Sequence, residues 1–538
     1  MNKHKMLLVF VTVLCGLLPA LLSAQVNTVW VRIFNAPGNS DDYGQAIAVD
    51  DSGNVYVTGA ASFTPWPDMD YATVKYNSNG DTIWLRRYDG PGDSTDYATA
   101  LAIDRQGNVY VSGSSSGSGH PYDYTTIKYN SLGDTVWVRR YNGSGNSTDQ
   151  ANAMAVDSSG NVYVTGNCNN GYEIATIKYN PNGDTAWVRK YHNTAYLGDN
   201  AYAMTLDQQG NVYVTGSTLS NYQTMVDYLT IKYNANGDTV WIRTYTGMGY
   251  SGQDEAEAIA VDNSGNVCVT GYSTGSGTGY DYTTVKYNAS GDTVWVRRYT
   301  SLGNNNDYAT AIKVDNLGNV YVTGGSYNSG TSEDYTTIKY NSNGDTVWIR
   351  RYNGPANSGD RAYAMVVDEL GSIYVTGQSF GSGPGDDYAT VKYNSAGVQQ
   401  WVARYDGGSW DQAHAIAVKG ANIYVTGQSW TNALSSYDRV TVKYVQTMPG
   451  VEENRSPLTA NRFSLEVFPN PAKTYFTIRL PLSADHLQIK IFDVTGKLAK
   501  EVTLKTQERR ITLDGIKDGV YFVQVGDEMV KEKLVVTR

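Results

Sequence analysis

The sequence predicts an all-β protein: an eight-bladed β-propeller closed by its N-terminal strand, followed by a small β-sandwich. A string of the type Gly-Asn-Val-Tyr-Val-Thr-Gly starts at Gly53 and occurs eight times, at intervals of 50 to 55 residues. Each copy is accompanied by three further short segments rich in Val, Ile, Thr, Tyr and Trp, which is strand composition. No segment shows a 3.6-residue period over helical length, which excludes a helical repeat. Four strands in units of this size are typical of propeller blades.

The four segments of the first unit cover residues 45–50, 54–58, 71–76 and 82–88, and we call them strands a, b, c and d. The first β-branched residues of the b strands are Val55, Val109, Val162, Val212, Val267, Val320, Ile373 and Ile423. The d strands centre on Trp30, Trp84, Trp137, Trp187, Trp241, Trp295, Trp348 and Trp401. Because each Trp stands mid-strand at the same place in every unit, we expect these rings to pack blade against blade.

The two ends of the repeat array are incomplete in complementary ways. The first Trp strand, residues 29–34, precedes any a, b or c strand, and the last unit ends at Tyr444 without a d strand. Pairing of residues 29–34 with residues 440–445 would satisfy both open edges and close the ring. The sequence therefore predicts seven blades of contiguous chain and an eighth shared between the termini.

This strand order sorts the connections onto two faces. The a–b and c–d turns are short and contain glycine, whereas the b–c and d–a connections, such as residues 60–69 and 89–95, are long. The long connections also differ from copy to copy. We therefore expect the face that carries them, the long-loop face, to be the binding surface.

The remaining segments predict an exported, acidic protein. Residues 1–24 combine Lys3 and Lys5 with an apolar stretch and small residues before Gln25, which is the pattern of a signal peptide. An uncleaved membrane anchor is the alternative. Residues 25–454 carry 26 Lys and Arg against 42 Asp and Glu, a net charge of −16. A surface this acidic should repel nucleic acid and anionic lipid. No later apolar run is long enough to span a membrane.

The composition changes after the repeats. The predicted propeller covers residues 25–446, and residues 447–464 contain Pro449, Gly450 and Pro457 and are predicted to be a linker. Residues 465–538 alternate strand-like segments with glycine turns, which predicts a small β-sandwich.

The repeat resembles a bacterial β-propeller repeat family whose members are often called seven-bladed repeats, although eight copies are present here. The likeness rests on residues 53–59 and 70–77 with their copies, and it covers about residues 27–446. It implies the propeller fold and a usually extracellular setting. It does not imply an activity.

The C-terminal segment is similar to the type A C-terminal sorting domain of the type IX secretion system. The motifs Leu465–Ala472, Ile489–Lys497 and Gly519–Val525 occur in the expected order. The resemblance implies recognition by the outer-membrane translocon of a Bacteroidota-like bacterium, removal of the domain, and release or attachment at the cell surface. An ordinary adhesive β-sandwich is the alternative.

Two acidic series recur at fixed positions. The first precedes strand a and consists of Asp42, Asp96, Asp149, Asp199, Asp254, Asp307, Asp360 and Asp411. These carboxylates either accept backbone N–H bonds that fix the loops or form a ring that binds a cation such as Ca²⁺. The second series precedes strand c and is expected to cap its loops. Its members are Asp70, Asp123, Glu173, Asp227, Asp281, Asp334, Asp387 and Asp438.

Large aromatic residues in the long loops do not recur in every blade, so blade packing does not explain them automatically. Such rings either stack on sugars or anchor a protein interface, or they cover the blade tops as local cores. The candidate ligand-binding residues are Trp66, Tyr122, Tyr172, Tyr222, Tyr280, Trp410 and Trp430.

The sequence predicts no enzyme, no resident metal and no cofactor. Three Gly-x-Ser-x-Gly segments, at 113–117, 271–275 and 377–381, lack the strand-turn-helix context of a catalytic serine. The c–d hairpin is similar to the repeat of quinoprotein dehydrogenases, but no adjacent Cys pair accompanies it. We expect a surface module that binds a glycan or protein. A purely structural surface-layer protein is the main alternative.

Overall fold

The computed structural model describes residues 25–447 and 466–536 with short gaps. The gaps are residues 65–67, 93, 118–119, 144, 194–197, 220–225, 249–251, 303–304, 329, 432–435, 469–471, 480–486, 494–496, 505–507 and 526–527. The predicted signal peptide, and the predicted linker after its first residue, lie outside the described residues. The chain divides into two compact units that meet in sequence at residues 451 and 452, and each is described by itself.

All regular secondary structure in the described residues is β-strand. In the first unit the strands are β1 (Gln25–Phe34), β2 (Ala46–Val49), β3 (Val55–Ala61), β4 (Asp70–Tyr76), β5 (Thr82–Tyr88), β6 (Asp96–Ile103), β7 (Val109–Gly117), β8 (His120–Tyr129), β9 (Thr135–Tyr141), β10 (Gln150–Val156), β11 (Val162–Cys168), β12 (Glu173–Tyr179), β13 (Thr185–Tyr191), β14 (Asp199–Leu206), β15 (Val212–Leu219), β16 (Val226–Tyr233), β17 (Thr239–Tyr245), β18 (Asp254–Val261), β19 (Val267–Thr274), β20 (Tyr280–Tyr287), β21 (Thr293–Tyr299), β22 (Asp307–Val314), β23 (Val320–Asn328), β24 (Ser332–Tyr340), β25 (Thr346–Tyr352), β26 (Asp360–Val367), β27 (Ile373–Phe380), β28 (Asp386–Tyr393), β29 (Gln399–Tyr405), β30 (Asp411–Lys419), β31 (Asn422–Thr431) and β32 (Ser436–Thr447).

These strands form eight four-stranded antiparallel blades. Blades 1 to 7 each use four consecutive strands, from β2–β5 to β26–β29, and blade 8 has the order β1-β32-β31-β30. The pairing of β1 with β32 runs from Gln25 opposite Thr447 to Phe34 opposite Arg439. The predicted eight-bladed propeller and its closure by the N-terminal strand are confirmed.

Each blade has a buried centre and an irregular inner strand. Strands b and c of blade 1, β3 and β4, are buried along their whole length. In strand a of blade 2 the pairing register shifts between Ala98 and Ala100, and the same β-bulge recurs in every later a strand. Opposite the bulge, a Cβ on Gly113 would lie 1.9 Å from the carbonyl oxygen of Tyr97. The repeated glycine of strand b is therefore required for the close approach of strand a.

Neighbouring blades are joined by a repeated set of contacts at the short c–d turns, which we call the turn clamp. Between blades 1 and 2, Lys75 Nζ and Trp84 Nε1 donate to Ser131 O at 3.3 and 3.5 Å. Arg86 Nε donates to Gly133 O at 2.5 Å. A Cβ on Gly133 would come within 3.0 Å of the Trp84 ring, so this turn lies directly against the indole. The predicted packing of the repeated Trp residues between blades is confirmed.

The same clamp closes the ring. Trp30 Nε1 and Lys443 Nζ donate to Ser78 O at 3.3 and 2.8 Å, and Arg32 Nε donates to Gly80 O at 2.5 Å. Residues more than 360 positions apart in the chain therefore make contacts equivalent to those of the contiguous blades.

The C-terminal unit consists of two antiparallel sheets. Its strands are β33 (Glu466–Phe468), β34 (Tyr475–Arg479), β35 (Leu487–Asp493), β36 (Leu498–Leu504), β37 (Glu508–Thr512), β38 (Gly519–Val525) and β39 (Glu528–Val536). They form sheets of order β33-β34-β37 and β36-β35-β38-β39. Phe476 and Ile511 of the first sheet share one buried core with Ile489 and Val523 of the second. This unit is the small β-sandwich that the sequence predicts.

Candidate functional site

One buried Asp fastens each d–a loop on the long-loop face. In blade 2, Asp96 Oδ2 accepts the N–H of Gly90 at 2.6 Å and Oδ1 accepts the N–H of Ser116 at 2.9 Å. These bonds tie the loop to the end of strand b. Equivalent loop N–H bonds reach Asp42, Asp149, Asp199, Asp254, Asp307, Asp360 and Asp411.

This geometry favours the loop-fixing role of the first acidic series. Burial raises the pKa of Asp42 and of Asp411 to about 6, although hydrogen bonds to both carboxylates oppose the shift. Within the described part of the chain, two groups of three acidic side chains have oxygens within 4.8 Å of one another. They are Asp68, Asp70 and Asp89, and Asp387, Asp406 and Asp411. Neither group contains two members of the series, and cation binding by a ring of these residues stays a prediction.

Six members of the second acidic series form ion pairs with strand d of their own blade. Two of the six also accept a hydroxyl from the b–c loop, as the predicted loop caps would: Thr278 Oγ1 donates to Asp281 at 3.0 Å, and Thr331 Oγ1 donates to Asp334 at 2.9 Å. Asp70 contacts Arg87 of strand d in its own blade, and Asp123 Oδ2 accepts from Arg140 Nη2 at 2.9 Å. The basic partner follows the acid by 17 residues each time, because strands c and d form a hairpin of fixed length. The same pairing occurs at Glu173–Lys190, Asp281–Arg298, Asp334–Arg351 and Asp387–Arg404.

The residue directly after the loop-fixing Asp is the variable position of strand a, and we call it the rim position. Strand a of each blade packs against strand a of the next, so these residues lie around the inner edge of the long-loop face. All eight are partly or fully exposed, although the Asp before and the Ala or Gly after them are buried. They are Tyr43, Tyr97, Gln150, Asn200, Glu255, Tyr308, Arg361 and Gln412. Our sequence analysis missed them because it searched the loops for aromatic residues. Their variation inside an otherwise repeated string was the available signal.

An aromatic belt crosses blades 8, 1 and 2 at this edge. The rings of Trp430 and Tyr437 meet edge to face at 5.0 Å, and Tyr437 lies 6.1 Å from Tyr43. Tyr97, at the rim of blade 2, lies 6.4 Å from Tyr122. Tyr43 and Tyr97 occupy the same position in neighbouring blades, whose a strands β2 and β6 contact each other. The belt therefore joins side chains from three blades.

Trp410 extends this surface. Its backbone carbonyl accepts the N–H of Trp430 at 2.9 Å, which places the two residues side by side. The Trp410 side chain is 53% exposed, which is unusual for an indole and typical of interaction surfaces.

A second aromatic cluster joins blades 5 and 6. The Tyr272 ring lies 5.1 Å from both Tyr280 and Tyr308, and the Tyr280 and Tyr308 rings are 5.7 Å apart. The guanidinium of Arg361, at the rim of blade 7, lies over Tyr308 at 5.7 Å. Arg361 also makes a two-point ion pair with Glu333, at 2.7 and 2.9 Å.

Two carboxylates lie side by side on strand a of blade 5. Tyr202 Oη donates to Glu255 Oε2 at 2.9 Å, and the Tyr272 phenol is a second hydrogen-bond partner of Glu255. Glu257 lies two residues further along the strand. Burial, reinforced by the neighbouring Glu255 charge, raises the pKa of Glu257 to about 7.

The structure brings some of the predicted ligand-binding residues together and leaves others apart. Tyr122 and Trp430 lie in the aromatic belt with Trp410 beside it, and Tyr280 lies in the second cluster. Tyr172 is 39% exposed at the tip of blade 3, and it belongs to neither group. The two other predicted residues, Trp66 and Tyr222, lie outside the described residues.

Comparison with known families decides the nature of both units. Residues 466–537 match the secretion system C-terminal sorting domain family. The C-terminal unit is a secretion system C-terminal sorting domain. Residues 29–64, 83–120, 136–173 and 194–223 match the β-propeller repeat family, so the blades are repeats of that family.

The sorting domain fixes the destination of the chain. Domains of this family mark proteins for export by the type IX secretion system to the cell surface or the extracellular space. The chain is therefore exported, and its sorting domain interacts with the type IX machinery. Over the described residues, no helix has the length and apolarity needed to cross a membrane.

Likenesses to three individual proteins are short or weak. The chain is 31% identical over 65 residues to β-agarase A of Zobellia galactanivorans, and the match spans 12% of each protein. PorZ, a surface component of the type IX secretion system of Porphyromonas gingivalis, aligns at 14% identity and a TM-score of 0.32. That alignment covers 91% of this chain and 74% of PorZ. The β-propeller domain of the Trilobed protease from Pyrococcus furiosus aligns at 8% identity and a TM-score of 0.39, over 64% of this chain and 93% of that domain.

Proposed function

We propose that this protein is an exported binding module whose long-loop face engages a glycan or a protein without catalysing a reaction. The observation that carries the proposal is the aromatic belt on blades 8, 1 and 2. Its rings come from rim and loop positions that differ among blades, whereas the frame beneath them repeats.

The side chains of the belt are suited to binding a glycan or a protein. Aromatic rings offer large apolar faces with little side-chain entropy to lose, and Tyr adds a hydroxyl for hydrogen bonding. Clusters of exposed Trp and Tyr also supply most of the affinity in many protein interfaces. The buried Asp residues beneath hold the loops in place, so the binding groups are presented in a fixed arrangement.

The test compares the two faces in the chain from residue 25 to residue 538. Binding is measured on a glycan array and by capture of surface-biotinylated proteins from the intact source bacterium. The Trp410→Ala, Trp430→Ala double variant removes two indoles from the long-loop face. The Leu132→Ala, Leu317→Ala double variant is the control, because both leucines are highly exposed on short turns of the opposite face.

We expect the tryptophan variant to lose at least about tenfold in affinity and the leucine variant to bind like the original protein. Equal binding by the folded tryptophan variant would move the site away from the belt. A protein that binds nothing in either assay would favour a purely structural surface protein.

A further inference from the structure

The junction of blades 6 and 7 departs from the repeat at three positions that act together. Strand b carries Gly325 where other blades have a side chain, and a Cβ there would lie 1.8 Å from Glu333 Oε1. Glu333 itself stands where most blades have an apolar or aromatic residue, and Arg361 is the one arginine among the eight rim positions. The missing side chain at Gly325 lets Glu333 fold over strand b and reach Arg361. Three departures from the repeat, at Gly325, Glu333 and Arg361, thus combine to form one ion pair.

Arg361 of this ion pair lines a concave pocket, and the buried Glu333 holds its guanidinium in place. The pocket has a volume of about 340 Å³ and is lined by Asn305, Asn306, Tyr308, Tyr327 and Arg361. Cavities of this size hold small molecules rather than a protein surface. The floor is rigid, because Asn306 Oδ1 accepts the N–H of Tyr280 at 3.0 Å and the tyrosine cluster backs Tyr308.

The charges of the pocket balance one another. Glu333 neutralises Arg361, and the two-point pair uses two of the five guanidinium N–H groups. Other N–H donors of the guanidinium remain, and Tyr363 is a further neighbour of this group. Together with the amides of Asn305 and Asn306 they offer hydrogen-bond donors and acceptors. A ligand with hydroxyl groups, each both donor and acceptor, matches this pattern. An anionic ligand would meet the acidic surface of the repeat region, and a cationic ligand would meet Arg361.

We infer that this pocket, at the junction of blades 6 and 7, is a subsite for one unit of a neutral saccharide. Tyr308 and Tyr327 supply apolar ring surface for the C–H face of the sugar, and Arg361 and the asparagine amides supply hydrogen bonds to its hydroxyls. The inference rests on the proposed function. It narrows the ligand to neutral saccharides and adds a subsite outside the aromatic belt.

Blade 2 provides a position that matches Tyr308 inside the same chain. The string Asp-Tyr-Ala-Thr-Ala occurs at 96–100 and again at 307–311. Thr99 and Thr310 make the same 2.8 Å hydrogen bond to the following blade. Tyr97 and Tyr308 therefore have the same local backbone, but Tyr97 belongs to the aromatic belt and has no Arg–Glu pair beside it.

The experiment is native affinity electrophoresis of the chain from residue 25 to residue 538. The gels contain either a neutral polysaccharide (a galactan, glucan, mannan or xylan) or the anionic polymer alginate. The variants are Tyr308→Ala, Gly325→Ala and Arg361→Lys, with the Leu132→Ala, Leu317→Ala double variant of the opposite face as the control. Tyr97→Ala is measured beside them because it removes a ring of the aromatic belt. Circular dichroism melting shows that each variant is folded.

We expect at least one neutral polysaccharide to retard the original protein. Tyr308→Ala should weaken that binding about tenfold, as should Arg361→Lys, which keeps the charge but loses the planar fork. Gly325→Ala should weaken binding without touching the ligand, because its Cβ displaces Glu333. The leucine control should bind within about twofold of the original, and Tyr308→Ala should lose more binding than Tyr97→Ala.

Three outcomes would overturn the inference. If Tyr97→Ala loses binding and folded Tyr308→Ala keeps it, the belt is the saccharide site and the proposed function survives. If alginate alone is bound, the ligand is not neutral. If no polysaccharide is bound, the saccharide subsite is wrong, and the protein-capture assay alone decides the proposed function.

Discussion

The two faces of the propeller differ in which of their residues repeat from blade to blade. On the short-turn face, the turn clamp repeats: in blade 1, Lys75, Trp84 and Arg86 hold the next c–d turn. On the long-loop face, the buried Asp repeats, but the rim position beside it takes five different residue types in eight blades. The stabilising contacts and the proposed recognition positions thus lie at different places along the same strands.

Blade 8 shows that the turn clamp depends on the turn it holds. This blade is made from both ends of the described propeller, so its c and d strands are not joined by a turn. Lys392 Nζ and Trp401 Nε1 of blade 7 bond instead to Gln446 Oε1, at 2.6 and 3.4 Å. Ala403 stands where the other d strands carry the clamp arginine. The arginine is absent at the one interface that has no turn to bind.

The largest effect should come from removing the strand that closes the ring. Deletion of residues 25–34 leaves one edge of β32 unpaired and removes both Trp30 and Arg32 from the clamp. We expect aggregation or a fall in Tm of more than about 10 °C, measured by light scattering and calorimetry. The control is Val29→Thr, Ile33→Thr, which changes two exposed side chains of the same strand and keeps its pairing. A soluble deletion variant with unchanged melting would refute closure by β1.

The second effect concerns the buried charge at this seam. Arg439 is fully buried, donates to the carbonyls of Tyr43 and Ala72 at 3.0 Å, and lies over the Phe34 ring at 4.8 Å. Arg439→Ala leaves these carbonyls and the Asp42 carboxylate without their cation, and should cost about 3–5 kcal/mol in urea unfolding.

A substitution borrowed from other blades sharpens this prediction. Tyr71 occupies the position of Arg439 in blade 1, and its hydroxyl donates to a carbonyl of the following blade, Thr125 O, at 3.4 Å. Arg439→Tyr should therefore cost clearly less than Arg439→Ala. Equal losses would mean that the seam needs the charge itself and not a donor to the next blade.

The fold could be read from the sequence because its signals are local and repeated. The eight b strings set the blade count, and the unpaired Trp strand at residues 29–34 set the closure. The partners of the second acidic series were predictable too, since Asp70 and Arg87 and their copies are 17 residues apart, but we interpreted each acid by itself as a loop cap.

The candidate site was less accessible to sequence reasoning. The belt joins Tyr43 of one blade to Tyr437, almost 400 residues away, and this contact exists only after the ring closes. The blade 6 pocket depends on a missing side chain at Gly325, and an isolated glycine in a strand does not reveal what it makes room for. The proposed recognition positions come together only in the folded ring, whereas the frame follows from the repeated sequence.

A moderate, pH-dependent effect is expected from Glu257 on the inner strand of blade 5. Its pKa is raised from 4.5 to about 7, so the folded protein keeps a proton that the unfolded chain loses at lower pH. The residue therefore lowers stability progressively as the pH rises from about 4.5 to about 7, and by a constant amount above that. Glu257→Gln should unfold at the same urea concentration as the original protein near pH 4 and at a higher one at pH 8. A difference that is independent of pH would refute the assigned ionisation.

Trp410→Ala should have the smallest effect on stability, although it removes an exposed indole from the proposed binding surface. Trp84 and Trp410 are the same residue type in opposite roles: Trp84 is 6% exposed within the turn clamp, and Trp410 is 53% exposed on the long-loop face. Trp84→Ala should cost about 3–5 kcal/mol, because it opens a cavity between two blades and leaves the c–d turn unsupported. Trp410→Ala should change the free energy of unfolding by no more than about 0.5 kcal/mol, since Trp430 bonds to its backbone and not to its indole. Urea unfolding of both variants, with the glycan and protein-capture assays on Trp410→Ala, checks the pair. A large loss of stability in Trp410→Ala would show that this indole belongs to the frame, and the separation of the two faces would fail at that position.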